Sequence, residues 1–323
     1  LNGKWEVVFD IWRKDTEDLL FNVPLPAVVG PSASAPSVNV AKMRNQGIDM
    51  QIINRGNLTS DIKYEVTLNN SFLKNEIVAF APGITNLLGG SFRGINPIRM
   101  EVGRSLSAFY GYQVIGYFNS AAEVASAPEQ SGKGVGRFRY ADINGDGKIT
   151  PADRTYLGSP VPTYTGGINI GLTYKDFEFA TYLYASAGNK IWNQSKWFTD
   201  FHGTFEGSGK GERAKQSWTP ALGNNAEAPI WESASNISTS AAENSWYVEN
   251  GDYLRLQNVS LGYNILKAYT SKLGIKRAKF TLSANNIFTL TKYKGLDPEI
   301  NGGIDNNFYP RPRIVSLGLN LDF

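Results

Sequence analysis

The sequence predicts an all-β protein, the wall of a transmembrane antiparallel β-barrel. Three features predict it: apolar–polar alternation in eight segments, a regular succession of long and short connections, and a row of aromatic residues at one end of the strands. A β-strand sends successive side chains to opposite faces, so period-two alternation makes one apolar and one polar face. In a barrel that spans lipid the apolar face turns outward and the polar face lines the interior.

Taken in order, the first segment sets Trp5, Val7, Phe9 and Ile11 against Lys4, Glu6 and Asp10. The second sets Ile48, Met50 and Ile52 against Asp49 and Gln51, and the third Ile62, Tyr64, Val66 and Leu68 against Lys63, Glu65, Thr67 and Asn69. In the fourth, Ile168, Ile170, Leu172 and Tyr174 oppose Asn169, Gly171 and Thr173. The fifth is less regular, with Phe177, Phe179, Leu183 and Ala185 on one side. In the sixth, Val259, Leu261, Tyr263 and Ile265 oppose Ser260, Gly262 and Asn264, while Leu254 and Leu256 have the other parity. That reversal predicts a bulge near Gln257. The seventh carries Phe280, Leu282, Ala284 and Phe288 opposite Thr281, Ser283 and Asn285, and the eighth Val315, Leu317, Leu319, Leu321 and Phe323 opposite Ser316, Gly318, Asn320 and Asp322.

The connections sharpen the prediction. Short turns are expected at Asn54–Asp61, Lys175–Asp176 and Ser271–Lys276; long loops at Lys14–Asn45, Glu76–Thr163, Gly188–Gly251 and Thr291–Pro312. Up-and-down pairing then gathers every short turn at one end and every long loop at the other, which is the asymmetry of outer-membrane barrels. A Greek-key sandwich alternates equally well but has no reason to sort its loops this way. Trp5, Tyr64, Tyr174, Phe177, Tyr263, Phe280 and Phe323 all fall at the short-turn end of the apolar face, where an interfacial girdle belongs.

Composition removes several function classes. Thirty-two Lys and Arg against 29 Asp and Glu leave a net charge of +3, which gives no reason to expect nucleic acid as a partner. The absence of cysteine excludes disulfides and thiolate metal sites. One histidine, His202, is a poor basis for a zinc site or a Ser-His-Asp triad. No run of about twenty apolar residues occurs, which excludes helical spans and leaves strands untouched. The chain opens on Leu1 and enters a strand almost at once, as a mature or partial chain would.

Two stretches carry candidate chemistry. Asp142-Ile-Asn-Gly-Asp-Gly-Lys-Ile-Thr-Pro-Ala-Asp153 follows the twelve-residue calcium loop: Asp142, Asn144 and Asp146 at positions 1, 3 and 5, Gly147 at the sharp turn, the Lys148 carbonyl at 7 and Asp153 at 12. The expected ion is a structural Ca²⁺; an aspartate in place of the usual closing glutamate weakens bidentate ligation and admits Mg²⁺ as the alternative. The bland reading of the same residues is an Asx-rich surface turn. The Gly188–Gly251 loop carries Trp192, Trp197, Phe198, Phe201, Trp218, Trp231 and Trp246. Of these, Trp192, Trp197, Phe198, Trp218 and Trp231 are candidates for meeting substrate or a partner; packing a small core of their own is the competing expectation.

Several pieces resemble the carboxy-terminal end of SusC/RagA-type TonB-dependent outer-membrane transporters: Ser107–Phe118 (SAFYGYQVIGYF), Phe138–Pro162, Gly251–Tyr263 (GDYLRLQNVSLGY), Ser283–Tyr293 (SANNIFTLTKY) and the terminal LGLNLDF. The resemblance spans nearly the whole chain and keeps the order of the motifs. It implies a plugged barrel of about 22 strands, of which this chain supplies the last eight or so. The plug would lie outside residues 1–323, and 76–163 and 188–251 would be long extracellular loops. Independently, eight strands closed alone enclose room only for their own side chains, a narrow rim for such loops.

The resemblance further implies import of oligosaccharides, or of peptides, across the bacterial outer membrane, with no enzymatic step. It implies a SusD-like lipoprotein over the loops, a dimer of transporter–lipoprotein pairs, a TonB complex acting through the plug, and outer-membrane lipid around the wall. The alternative is a secreted, soluble β-rich domain that binds or cleaves glycans, whose acids need no fixed sequence spacing.

Overall fold

The protein is described by a computed structural model covering residues 3–22, 36–205, 207–266, 269 and 274–323. Eight long strands dominate it: β1 (Trp5–Asn22), β2 (Ser37–Asn57), β3 (Ile62–Phe80), β4 (Tyr164–Tyr174), β5 (Phe177–Ala187), β6 (Tyr253–Asn264), β7 (Arg277–Thr291) and β8 (Ile314–Asp322). They form one sheet in chain order, every neighbouring pair antiparallel. β1 and β8 are its two ends.

The register puts the alternating residues where the sequence places them. Tyr174, Phe177, Tyr263 and Phe280 lie side by side across β4 to β7, and the Phe177 and Tyr263 rings approach to 4.8 Å. This is the expected aromatic row at the short-turn end. The outward face has no layer over it, and it is most open on the end strands: Val7 is 56% exposed, Phe9 56%, Ile11 75%, Leu317 70% and Val315 72%. A face this apolar and this uncovered needs lipid or another protein against it. The bulge is real. Gln257 is an extra residue in β6 relative to β5, between the pairs Tyr182–Asn258 and Leu183–Leu256. It returns Leu254 and Leu256 to the outward face, where alternation alone would have turned them in.

Two expectations about connections change. The Lys14–Asn45 loop is largely strand, because β1 runs on to Asn22 and β2 starts at Ser37. Charged residues on both faces there (Arg13, Lys14, Asp15, Glu17, Asp18) hide the alternation. The pair therefore rises well beyond the 9–11 residues that cross a bilayer. The Asn54–Asp61 turn contracts to Leu58–Asp61, closed by the Leu58 N–H donating to the Ile62 carbonyl at 2.9 Å and by the Thr59 hydroxyl accepting from the Ile62 N–H at 3.1 Å. Lys175, in the two-residue turn between β4 and β5, takes the left-handed φ of 51° that so tight a hairpin needs. Part of the Ser271–Lys276 turn lies outside the described residues.

The long connections fold. Residues 86–89, 98–101, 109–112 and 154–158 form a four-stranded sheet, 114–117 pairs with 138–140, and 190–193 lies between 248–250 and 304–305. The buried core gathers here, around Phe109, Tyr112, Phe138, Tyr140, Trp192 and Tyr247; Val40, Ala41 and Ile77 join it from the upper ends of β2 and β3, and Leu19, Phe21 and Phe80 pack against it. The long strands supply a wall, and the loops supply the hydrophobic core.

Placing a charge on the outward face tests the assignment. Ile168→Arg, near the middle of β4, should destabilise the intact protein in lipid by about 2–4 kcal/mol, whereas Asn169→Arg, pointing the other way, should cost far less. Unfolding titrations in lipid vesicles read both values; equal costs would refute the membrane-facing side.

Candidate functional site: the inner wall and its folded cap

The inward parity of the strands builds a polar surface. Asp10, Asp49, Gln51, Asn69, Ser71, Thr165, Gly167, Tyr182 and Tyr184 surround a recess of about 470 Å³ at the loop end of β1 to β5. The Ser71 hydroxyl donates to Asp49 at 2.6 Å, and the Gln51 amide donates to Asn69 at 2.8 Å. Gly167 has a local reason to be glycine: a Cβ there would lie 2.6 Å from the Tyr182 ring. Lower on the same face, Lys279 pairs with Glu178, and Asn264 donates to Glu178 at 2.7 Å. Hydroxyls, carboxamides, carboxylates and phenol rings thus face inward, the groups that hydrogen-bond and stack on polar oligomers.

The cap holds most of the expected aromatic candidates inside it. Trp192 is fully buried and stacks on Tyr247 at 4.9 Å, its indole N–H donating to Gln194 at 2.8 Å. Trp197 is 9% exposed, edge-on to Phe198 at 5.0 Å and to Phe92 at 5.3 Å. Trp218 is 5% exposed and donates to Asn119 at 3.1 Å. Of the two expectations for these three rings, substrate contact or a small core of their own, the burial favours the core. Phe198 is half-buried. Trp231 is 43% exposed, with the His202 ring edge-on to it at 5.1 Å, and it stays open to a ligand.

The calcium-like loop is ordered by its own backbone. Asp142 accepts from the N–H groups of Gly145 and Gly147, both at 2.8 Å. Asp146 accepts from the Lys148 N–H at 2.9 Å and the Asn144 amide at 3.0 Å. Asp153, expected as the closing ligand, is buried and accepts from the N–H groups of Ile143 at 3.0 Å and Thr150 at 2.7 Å. Burial alone would raise its pKa, but the N–H groups of Thr150, Asn144 and Ile143 outweigh that and hold it below the ordinary carboxylate range. Thr150 and Asp153 form a reciprocal capping box around Pro151, so Asp153 serves as a backbone cap. Among the described residues no three His, Cys, Asp or Glu are gathered closely enough to hold an ion. Asn144, Asp146 and Lys148 stay exposed, with Asp142 half-buried beneath them.

Two charged centres escaped the sequence reading. Arg255 points inward from β6, 2% exposed, and reaches Asp297 at 2.5 Å, Glu299 at 2.8 Å and the Thr289 hydroxyl at 2.9 Å. It ties the β7–β8 connection to the wall. Its signal was an arginine at an inward position beside a bulge, with acids about forty residues away that only the fold brings near. Lys196 is likewise buried, 2.9 Å from Glu249 and donating to the Trp246 carbonyl at 2.6 Å. Glu249 also accepts from the Lys294 N–H at 2.9 Å, so one buried ion pair joins two connections.

No protein-family profile matches the chain. Over its whole length it is 30% identical, across 341 aligned positions, to "TonB-dependent receptor P3" of Formosa agariphila, of which it spans 33%. It is 29% identical, across 337 positions, to "TonB-dependent receptor SusC" of Bacteroides thetaiotaomicron, of which it spans 30%. Its fold is similar to the RagAB peptide importer in an open-open state, with TM-score 0.77 at 22% identity, and in a closed-closed state, with TM-score 0.78 at 23% identity. Each alignment covers 100% of this chain and 33% and 34% of those chains. The chain therefore spans about a third of the length of the relatives it matches.

The Arg255 anchor gives a pH prediction. Burial would raise the Asp297 pKa, but the Glu299 N–H and the Arg255 guanidinium outweigh it, and the folded value lies below the ordinary 3.8. A depressed carboxylate contributes stability that is fully present above the unfolded pKa and is lost as pH falls through the folded one. Hydrogen exchange of residues 292–313 should stay slow from neutral pH to about pH 4 and accelerate below it. Arg255→Ala should accelerate it at neutral pH too, with a cost of about 3–5 kcal/mol for a buried pair broken on one side.

Proposed function

We propose that this chain, a carboxy-terminal part of a SusC/RagA-type TonB-dependent transporter barrel, serves the import of oligomeric nutrients across the outer membrane. One observation carries the reading: the long sheet is apolar and uncovered on one face and polar on the other, with the folded loops at one end. Such a wall separates lipid from a hydrophilic passage. Residues 1–323 act as wall and mouth, and the plug and the remaining strands belong to the rest of the transporter. The cap is the surface on which a SusD-like lipoprotein closes, in pairs that assemble as a dimer, and energy reaches the passage from the TonB complex through the plug.

Oligosaccharides are the first substrate class, because the recess is lined with carboxamides, hydroxyls, carboxylates and two tyrosines. Peptides are the second reading, on the likeness of the fold to a peptide importer. None of the groups named here makes a nucleophile–base pair, and the reading contains no chemical step.

The full-length transporter and its lipoprotein, supplied with labelled oligosaccharides and with peptides of matched length, should accumulate the oligosaccharide only when TonB is energised. Accumulation of the peptide alone would favour the second reading. A chain that dissolves in buffer without detergent would end both and support a soluble glycan-binding domain.

In the same reading the 142–148 turn takes a Ca²⁺, or Mg²⁺, through Asp142, Asn144, Asp146 and the Lys148 carbonyl, with Asp153 holding the turn from beneath. Extracellular loops of this kind bind at about 10⁻⁴–10⁻³ M. Millimolar calcium should slow hydrogen exchange across 138–158 in the wild type and not in Asp142→Ala. Identical exchange with and without calcium removes the ion.

A further inference from the structure

The outward face changes character in a single step. Ile11, Ile48 and Phe72 form the last apolar row across β1, β2 and β3. Two residues further along each strand, still facing outward, the next row reads Arg13, Gln46 and Lys74. The row after that is Asp15, Arg44 and Glu76. The apolar row and the first polar row together line a groove of about 550 Å³.

The ion pairs in these rows have a direction. Arg13 is held by Asp15 at 2.7 Å, Asp15 by Arg44 at 2.8 Å, and Lys74 by Glu76 at 2.8 Å. Both acids lie on the far side of the cations from the apolar row. Asp15, its carboxyl pulled down to about 2 by hydrogen bonds from Arg13 and then Arg44, stays ionised at any physiological pH. Arg13 and Lys74 therefore sit between the acids and the lipid-facing band, with side chains 54% and 65% exposed. Ammonium and guanidinium groups at the level where hydrocarbon ends meet lipid phosphates, and the aliphatic stems of such side chains lie along the apolar surface below.

We infer that this groove is a binding site for a phosphate-bearing lipid of the outer leaflet. Its phosphate is taken by Arg13 and Lys74 across Gln46, and an acyl chain lies over Ile11, Ile48 and Phe72. Charge complementarity selects the occupant: an apolar floor under two cations fits an anionic amphiphile and gives a neutral protein surface nothing to pair with. The three cations exceed the two acids by one, so the site keeps attraction for an anion after its own pairs are formed. The inference rests on the outward face meeting lipid, and its failure is distinguishable from failure of that reading.

The test uses the intact transporter in neutral-lipid nanodiscs doped with phosphatidylglycerol, with native mass spectrometry of the lipid retained after extraction in mild detergent. Arg13→Gln with Lys74→Gln should lower retention roughly twenty-five-fold, about fivefold for each cation removed near an anionic surface. Arg55→Gln, at the opposite end of β2 and paired with Glu6, should leave it unchanged. Heat-modified electrophoretic mobility confirms that the variants fold. Unchanged retention in the double variant, with the protein still requiring detergent, overturns the lipid site and leaves the membrane face intact. Displacement of the lipid by millimolar inorganic phosphate alone would also overturn it, because a free anion would then be the occupant.

Discussion

Hydrocarbon offers no partner to a backbone N–H or C=O, so a strand that crosses it must find every partner in the neighbouring strands. In the proposed reading as a membrane wall, the rest of this structure depends on that constraint. It requires eight strands paired in chain order through antiparallel ladders. Once the ladder is set, side-chain direction is set too, and a one-residue slip would turn an entire apolar row inward. The Gln257 irregularity shows how strictly the rows are kept. The ladder shifts there against both neighbours, yet Leu254 and Leu256 still face outward beside Ala185 and Leu183.

A soluble β-sheet of this size would bury one face under another layer. Here the apolar face stays bare, and the buried aromatic residues gather in the connections instead. This inversion explains why the connections are long. Residues 81–163 and 188–252 build small sheets and a close-packed core of Phe109, Tyr112, Phe138, Trp192 and Tyr247, to which the long sheet adds only its upper ends among the described residues. Trp192 on Tyr247 and Tyr112 on Tyr140 stack within 5 Å, as densely packed interiors allow. The same density withdraws most of the loop tryptophans from any ligand.

The inner wall and the cap are joined electrostatically. Arg255 and Lys196 are cations that stay buried because each has carboxylates and carbonyl or hydroxyl oxygens around it. Removing a partner would strand a charge, so such pairs fix geometry more than they add stability. Arg255 fixes the β7–β8 connection against the wall, and Glu249 fixes it against the β5–β6 connection. The β5–β6 and β7–β8 connections are thereby tied to each other and to the wall.

Period-two alternation, the long–short succession of connections and the aromatic row determined the strands, their order and their outward face, because each is a local consequence of the pleat. Even the bulge near Gln257 was legible, as a parity reversal. The charged upper halves of β1 and β2 were not, because charged residues leave from both faces there and alternation disappears. The fate of Trp192, Trp197 and Trp218 was decided only in three dimensions: the same rings suit a binding surface or a core, and the choice depends on what the other connections bring to them. Asp153 matched a ligand position by spacing, but its carboxylate turns to the backbone of Ile143 and Thr150. Arg255 found its acids in a connection some forty residues away. Spacing along the chain specifies which face a side chain leaves from; which groups meet it there depends on how distant connections pack, and only the tertiary structure sets that.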